Sequence, residues 1–260
     1  MYLTVRAIVL RVSEFNDRDA MLTVLTQNYG KLSIKARGLR RKNSPLAAPC
    51  QLLSFGEFTL FEYNGKYTIN EAHSLELFSG LRRELTQLSL GSYFAQVTEL
   101  ISQEDMPNPE LQSLLLNCLY ALSKLGLPEA QVKAVFELRA ACLAGYTPEL
   151  FGCHICGCQT PERFDLSLGQ LECKGCRDPQ SAGIRVPVTP EMLEAMRYIC
   201  LCAPKRLFSF RLGEEATQAL SQLTEGYLQT QLERGFSALD FYKSLFVREA
   251  FLGEKHDGIV

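Results

Sequence analysis

Residues 30–44 of the 260-residue chain read GKLSIKARGLRRKNS, and this stretch decides how the N-terminal part folds. Leu32, Ile34 and Ala36 alternate with polar or charged residues, which is the period-two pattern of a strand with one buried face. The strand leads into a short segment that is crowded with basic residues. The stretch therefore predicts a strand over Lys31–Arg37, followed by a basic loop.

Other short apolar segments flank this strand on both sides. Asn64-Gly65 is a strong hairpin signal between two of them, because both residues tolerate positive φ. About five short strands in the first 75 residues fit a small closed barrel, which has no exposed edges. The further strands are predicted at residues 3–12, 20–26, 51–63 and 67–69.

From about Ser79 the pattern changes to that of helices. Leucines and Cys118 follow helical spacing between residues 111 and 125, and Thr189-Pro190 is a good N-terminal pair for a later helix. Further helices are predicted at residues 128–143, 191–200 and 213–234, with a loose tail at residues 254–260. The predicted fold class is α+β: an oligonucleotide-binding (OB) type barrel in residues 1–78, a helical domain in residues 79–150 and 183–246, a cysteine-rich insertion in residues 151–182 and a flexible tail in residues 247–260.

The insertion contains two CxxC pairs, Cys153/Cys156 and Cys173/Cys176. A two-residue gap lets two thiolates meet on one ion, and two such pairs give the four-sulfur tetrahedral shell that zinc prefers. The spacing therefore predicts one structural zinc ion. His154 and Cys158 lie close enough in sequence to replace a ligand, and a redox dithiol, an iron site and unliganded cysteines are the alternatives.

The chain has ten cysteines, and their use depends on the compartment. No secretion signal opens the chain, and no apolar stretch is long enough to span a membrane, so we expect a cytoplasmic protein without disulfides. Cysteines on helical apolar stripes are then expected to be small core residues. These are Cys118, Cys142, Cys200 and Cys202.

Charge is unevenly distributed along the chain. The net charge is −2, yet the first 80 residues hold ten Lys and Arg against seven Asp and Glu, and no acid lies between Asp19 and Glu57. A basic ridge of this kind can bind along the phosphates of a nucleic acid. The alternative is a solvent-exposed basic loop without a binding role. The candidate DNA contacts are Lys31, Lys35, Arg37, Arg40, Arg41 and Lys42.

Aromatic residues on the neighbouring strands have two interpretations. They could stack on bases, or they could fill the barrel, and for the phenylalanines we favour the barrel core. They are Phe55, Phe58, Phe61, Tyr63 and Tyr67.

Motifs of several enzyme classes are missing from the sequence. There is no GxxxxGK[ST] phosphate loop, no GxGxxG after a strand, no HExxH zinc site and no GxSxG nucleophile turn. We therefore expect a protein that is not an enzyme.

In the order of its features the chain resembles the RecO family of bacterial recombination mediators. The basic barrel, the helical body and the CxxC pairs follow one another as they do in that family. The matching segments are Gly30–Ser44, Pro49, Glu71-Ala72 with Phe78 and Leu81-Arg82, Tyr93 with Glu99, and Gly145-Tyr146-Thr147-Pro148 ahead of Cys153-x-x-Cys156-Gly157.

The resemblance implies an OB-fold barrel, a helical domain and a small zinc module. It also implies binding of single- and double-stranded DNA without sequence preference, annealing of complementary strands, and a location in the cytoplasm at the nucleoid. The implied partners are RecR, the acidic C-terminal tail of single-strand-binding protein and, functionally, the recombinase RecA. The alternatives are an adaptor whose basic barrel binds acidic peptides and, third, a nuclease.

Overall fold

The computed structural model describes residues 1–176 and 183–253. Its N-terminal part is a closed barrel with strand order β1-β2-β3-β5-β4, which is the OB-fold order, so the fold class expected from the sequence is confirmed. Most neighbouring strands pair antiparallel, and β3 and β5 pair in parallel. The strands are β1 Tyr2–Glu14, β2 Ala20–Thr26, β3 Lys31–Ala36, β4 Phe55–Tyr63 and β5 Lys66–Glu76.

The barrel core follows from the period-two pattern of the strands. Leu32, Ile34 and Ala36 of β3 are all buried, as their alternation predicts, and Phe58 and Leu60 of β4 pack against them inside the barrel. Burial of this apolar surface is the main driving force that holds the barrel together.

Two strands differ in length from the sequence prediction. β4 begins at Phe55 instead of Gln51, because residues 51–53 form a turn that places Leu53 in the core. β5 extends to Glu76, well beyond the predicted end at Ile69. Its second half is mostly exposed, so it lacks the apolar alternation that would have revealed a strand.

The remainder consists of helices and a small second sheet. The helices are α1 Leu85–Ile101, α2 Pro109–Tyr120, α3 Glu129–Leu143, α4 Pro190–Leu201, α5 Glu214–Leu232 and α6 Ser237–Gly253. The second sheet has the order β6-β8-β7-β9, with β6 Glu149–Cys153, β7 Arg163–Asp165, β8 Gln170–Glu172 and β9 Arg185–Pro187. None of the helices within the described ranges has the length and apolar character of a membrane span.

Polar side chains cap the N-termini of two helices. The Asn108 side chain accepts a hydrogen bond from the Leu111 N–H at 3.0 Å, and Pro109 occupies the first turn of α2. The Thr189 hydroxyl accepts the Met192 N–H at 3.3 Å, which confirms Thr189-Pro190 as the start of α4. The helix predicted to reach Leu125 becomes a single π-helical turn after Tyr120.

The chain forms two compact units. The first unit contains residues 1–126 and the segment from Phe236, and the second contains residues 127–235. In the first unit α6 packs on α1, where the rings of Tyr93 and Phe236 meet edge to face with centroids 5.4 Å apart. In the second unit α3 packs on α5. The flexible tail expected in residues 247–260 is wrong for residues 247–253, because α6 runs to Gly253. Residues 254–260 lie outside the described residues, as do residues 177–182 of the expected cysteine-rich insertion.

Candidate nucleic-acid interface and metal centre

The basic loop between β3 and β4 is a chain of tight turns. The Arg41 N–H donates to the Gly38 carbonyl at 3.1 Å, and the Ser44 N–H donates to the Arg41 carbonyl at 3.2 Å. Cys50 and Leu53 are buried at the far end of the loop. Because the loop satisfies its own backbone and is anchored in the core, it presents its charged side chains from a defined surface.

Three of the six basic candidates are held by neighbouring groups. Lys35 forms an ion pair with Asp19 at 3.4 Å, and Arg40 forms one with Glu14 at 2.9 Å. The Lys31 ammonium donates to the backbone carbonyl of Glu99 at 2.9 Å. The run that contains no acid along the sequence therefore has acids beside it in space, supplied by the end of β1 and by the connection from β1 to β2.

Asp19 ties that connection to the basic loop. Its carboxylate accepts the Gly38 N–H at 2.8 Å and the Asn16 side-chain amide at 3.1 Å. These hydrogen bonds, the Gly38 amide first, hold the pKa of Asp19 below its usual value. Asp19 is therefore ionised at neutral pH and offsets the charge of Lys35.

The other three candidates point a free charge into solvent. Arg37, Arg41 and Lys42 are exposed, and none of them forms an ion pair with a residue in the described part of the chain. Surface cations without acidic partners are the ones available to bind phosphates.

A groove of about 570 Å³ lies on the barrel beside the basic loop. Phe15, Phe61 and Tyr63 line it and are 55%, 41% and 66% exposed. The Lys35 ammonium sits 4.2 Å from the centre of the Phe15 ring. The remaining lining residues are Met21, Ser33, Arg37, Gly65, Lys66, Tyr67 and Thr68.

The favoured interpretation of the phenylalanines holds for Phe58 and is wrong for Phe61. Phe58 is fully buried, as expected, whereas Phe61 lies at an odd position of β4 and therefore points out of the barrel. Phe55 is half-buried. Tyr63 also points outward, so the end of β4 adds aromatic surface to the groove.

The groove combines two kinds of surface that single strands of nucleic acid require. Aromatic faces stack on bases, and cations follow the phosphate backbone. Sequence reasoning overlooked Phe15 and Lys66 as part of this surface. The hairpin signal at Asn64-Gly65 could have identified Lys66, because it places that residue at the start of β5 beside Tyr63.

The four cysteines of the two CxxC pairs converge in space. Their Sγ atoms all lie within 4.8 Å of one another, and the Sγ atoms of Cys156 and Cys173 are 3.7 Å apart. With metal–sulfur bonds of about 2.3 Å, two sulfurs of a tetrahedral site lie about 3.8 Å apart. The donor set therefore fits a tetrahedral metal ion, held by Cys153, Cys156, Cys173 and Cys176.

The surrounding backbone favours ionised sulfur at this centre. Burial opposes ionisation of Cys153, but N–H groups of Cys156 and Cys173 outweigh burial and lower the pKa of Cys153 to about 6. The pKa of Cys176 is raised to about 11, first by its hydrogen bond to Cys156 and then by burial. A bound cation attracts thiolates and displaces such protons.

Neither of the ambiguous neighbours joins the four sulfurs. The His154 ring lies 3.3 Å from the buried carboxylate of Glu172, and the Cys158 thiol lies 3.4 Å from the hydroxyl of Thr160. Cys158 also contacts the Cys173 thiol, but neither its sulfur nor a His154 ring nitrogen belongs to the group whose ligand atoms all lie within 4.8 Å of one another, so this geometry favours the four CxxC sulfurs.

Family models and related proteins match this chain along nearly its whole length. Residues 1–78 match the family model "Recombination protein O N terminal", and residues 82–240 match "Recombination protein O C terminal". The chain is 31% identical over 247 residues to a DNA repair protein RecO of Acetivibrio thermocellus, covering 94% of this chain and 97% of that protein. A protein of the same name from Desulforudis audaxviator is 36% identical over 243 residues, covering 92% and 95%. The chain therefore belongs to the RecO family of DNA repair and recombination proteins.

Proposed function

We propose that the barrel binds single- and double-stranded DNA without sequence preference and anneals complementary strands in recombinational repair. The observation that carries this proposal is the groove, in which exposed aromatic rings lie beside Lys35, Arg37 and Lys66. Family membership supports a role in recombinational repair, and the family consists of recombination mediators and not of enzymes. Lys31, Lys35, Arg37, Arg40, Arg41 and Lys42 are the proposed phosphate contacts.

The physical basis of annealing is charge screening. Two DNA strands repel each other, and a cationic surface that releases their counterions lowers this repulsion without nucleotide hydrolysis. Phosphate contacts carry no base information, so such binding tolerates any sequence. Stacking on Phe61 and Tyr63 is equally tolerant, because every base has an aromatic face.

The proposal is tested by the salt dependence of binding. Arg41→Ala with Lys42→Ala removes two cations without ion-pair partners. Each lost phosphate contact is expected to reduce the slope of log K against log salt by about 0.7 on single strands, so the double variant should lose about 1.4. Fluorescence anisotropy with strands of different sequence measures the slope.

Lys205→Ala with Arg234→Ala is the matched control, because it removes two exposed cations from the second unit. Equal slopes for the two double variants would count against the basic loop. The adaptor alternative would be favoured if an acidic peptide bound the barrel and displaced the strand. Cleavage of DNA in the presence of Mg²⁺ would instead favour the nuclease alternative.

We further propose that the chain acts on strands coated with single-strand-binding protein, with that protein's acidic tail, RecR and RecA as partners in the cytoplasm at the nucleoid. A groove of about 1180 Å³ in the second unit supports an acidic partner. Its lining includes the apolar Leu201 and Phe210 with three arginines, Arg197, Arg206 and Arg211, against two glutamates, Glu191 and Glu194, of which Glu194 pairs with Arg197 at 2.6 Å. The rate of annealing, measured on strands coated with single-strand-binding protein and on bare strands, tests this interaction. A chain that anneals only bare strands does not bind the acidic tail of single-strand-binding protein.

A further inference from the structure

Two cysteines outside the metal centre face each other across helices α3 and α4. The Sγ atoms of Cys142 and Cys200 are 3.6 Å apart and within hydrogen-bond distance. Both residues are half-buried. Neither residue belongs to the group of four sulfurs that fits a metal ion.

The surroundings give the two thiols different pKa values. The contact with the Cys200 sulfur, followed by the Thr147 side chain and the Arg139 guanidinium, outweighs burial and lowers the pKa of Cys142 to about 7. The same pairing and burial raise the pKa of Cys200. Near neutral pH a substantial fraction of the chains therefore holds a thiolate on Cys142 beside a thiol on Cys200, which is the arrangement of an attacking and a resolving cysteine.

Arg139 holds the two helix ends in this arrangement. Its guanidinium donates to the backbone carbonyls of Ile199, at 3.3 Å, and of Cys200. The positive charge thus lies beside both cysteines, where it stabilises the thiolate of Cys142.

We propose that Cys142 and Cys200 form a reversible redox site that reacts with hydrogen peroxide. The Cys142 thiolate attacks one peroxide oxygen, an S–O bond forms, the O–O bond breaks and hydroxide leaves, giving a sulfenic acid. The Cys200 sulfur then attacks the Cys142 sulfur, the S–O bond breaks, and the thiol proton leaves with the hydroxide as water. The hydroxide of the first step takes up the proton that Cys142 released on ionising, so overall two thiols lose two electrons and peroxide becomes two water molecules.

The disulfide would cross-link the C-terminal ends of α3 and α4. The sulfurs need to approach from 3.6 Å to about 2.0 Å. The segment between them contains the second sheet with its four converging cysteines, so oxidation would close a covalent loop around that sheet. This role goes beyond DNA binding and does not depend on it.

Two other cysteines serve as internal standards. Cys50 is buried in the barrel core, and burial raises its pKa to about 12. The Cys202 thiol donates a hydrogen bond to the Ile199 carbonyl at 3.9 Å, and burial raises its pKa. Neither has a lowered pKa, so both are expected to remain reduced under conditions that oxidise the pair.

The test exposes the full, metal-loaded chain to a small excess of hydrogen peroxide. The remaining thiols are then alkylated after denaturation, and the peptides are identified by mass spectrometry. We expect a Cys142–Cys200 disulfide, a mass loss of two hydrogen atoms per chain and full recovery with dithiothreitol. Cys142→Ser should abolish the disulfide, whereas Cys202→Ser should leave it unchanged.

Three results would overturn the proposal. Cys142 and Cys200 could both remain alkylatable at peroxide levels that already release the metal. The Cys142→Ser chain could also lose two thiols, as many as the unaltered chain. Cys142 could also form the irreversible sulfinic acid without ever pairing. The zinc content, measured in the same samples, separates damage to the metal centre from oxidation of the pair.

Discussion

At the scale of single residues, Glu14 weakens the surface that is proposed to bind DNA. Its side chain is 77% exposed and pairs with Arg40 at 2.9 Å. Glu14→Gln should free Arg40 and remove a negative charge from the path of the phosphates. Because an exposed ion pair contributes about 0.2–1 kcal/mol, we expect a roughly 1.5- to 5-fold gain in affinity at low salt. Titration of labelled single strands measures it.

Glu57→Gln is the matched control for this change. Glu57 also pairs with an exposed arginine on the barrel, Arg6, at 3.4 Å, but lies away from the basic loop. An equal gain for both variants would show that net charge alone decides affinity. A loss of affinity for Glu14→Gln would contradict the placement of Arg40 in the path.

The sequence alone identifies the basic residues but does not show which of them form ion pairs. The cations of residues 31–42 are evident from the printed letters, and so is the convergence of the two CxxC pairs. The partners Glu14 and Asp19 precede the run along the chain and reach it only because β1, β2 and β3 lie side by side. Ion pairs of this kind form only in the folded chain. A count of charges along residues 31–42 therefore overstates how many cations lack an acidic partner.

At the scale of helices, a buried charge network joins α3 to α5. Lys133 is 3% exposed, and its ammonium lies 3.0 Å from Glu137 and 2.9 Å from Glu225. Lys133→Met should leave the fully buried Glu137 without its main counter-charge. Breaking a buried pair costs about 3–5 kcal/mol, so the free energy of unfolding should fall by that amount. Urea titration followed by circular dichroism measures it.

The control for Lys133→Met is an ion pair on the surface. Lys124 pairs with Glu76 at 3.5 Å, and both side chains are about a third or more exposed. Lys124→Met should change the free energy of unfolding by about 1 kcal/mol or less. Similar losses for the two lysines would mean that the buried network contributes no more than a surface pair.

Periodicity predicts some elements well and misses others. The apolar stripe of α2 and the Thr189-Pro190 start of α4 are visible in the sequence because one face of each helix is buried. The second half of β5 is exposed and carries no such signal. Helix α6 escaped prediction, although Ala238 and Leu239 in its first turn are apolar and Phe236, just before it, packs against Tyr93 of α1.

At the scale of the whole molecule, the metal centre belongs to the second unit and the basic groove to the first. We propose zinc as the ion, since four thiolates favour it. Cys173→Ser should lower the metal content from about one ion per chain to nearly none and destabilise the second unit. DNA affinity of the barrel should stay within about twofold. Elemental analysis, calorimetry and anisotropy measure these three quantities.

Cys158→Ser is the control, because this thiol lies close in sequence and outside the group of four. It should retain the metal. Equal metal loss in Cys158→Ser and Cys173→Ser would show that the proposed set of four ligands is wrong. If elemental analysis of the unaltered chain found an ion other than zinc, the proposed cofactor would be wrong.

The contact between α6 and α1 has a consequence for how the protein is made. Ribosomes release the chain from its N-terminus, so the barrel and α1 emerge long before Phe236 is synthesised. Until then Tyr93 has the neighbouring ring of Phe94 but lacks the ring of Phe236, which packs against it in the finished protein. The second unit, whose residues 127–235 are consecutive, can fold while the first unit is still incomplete. The first part to be synthesised is therefore the last to be completed.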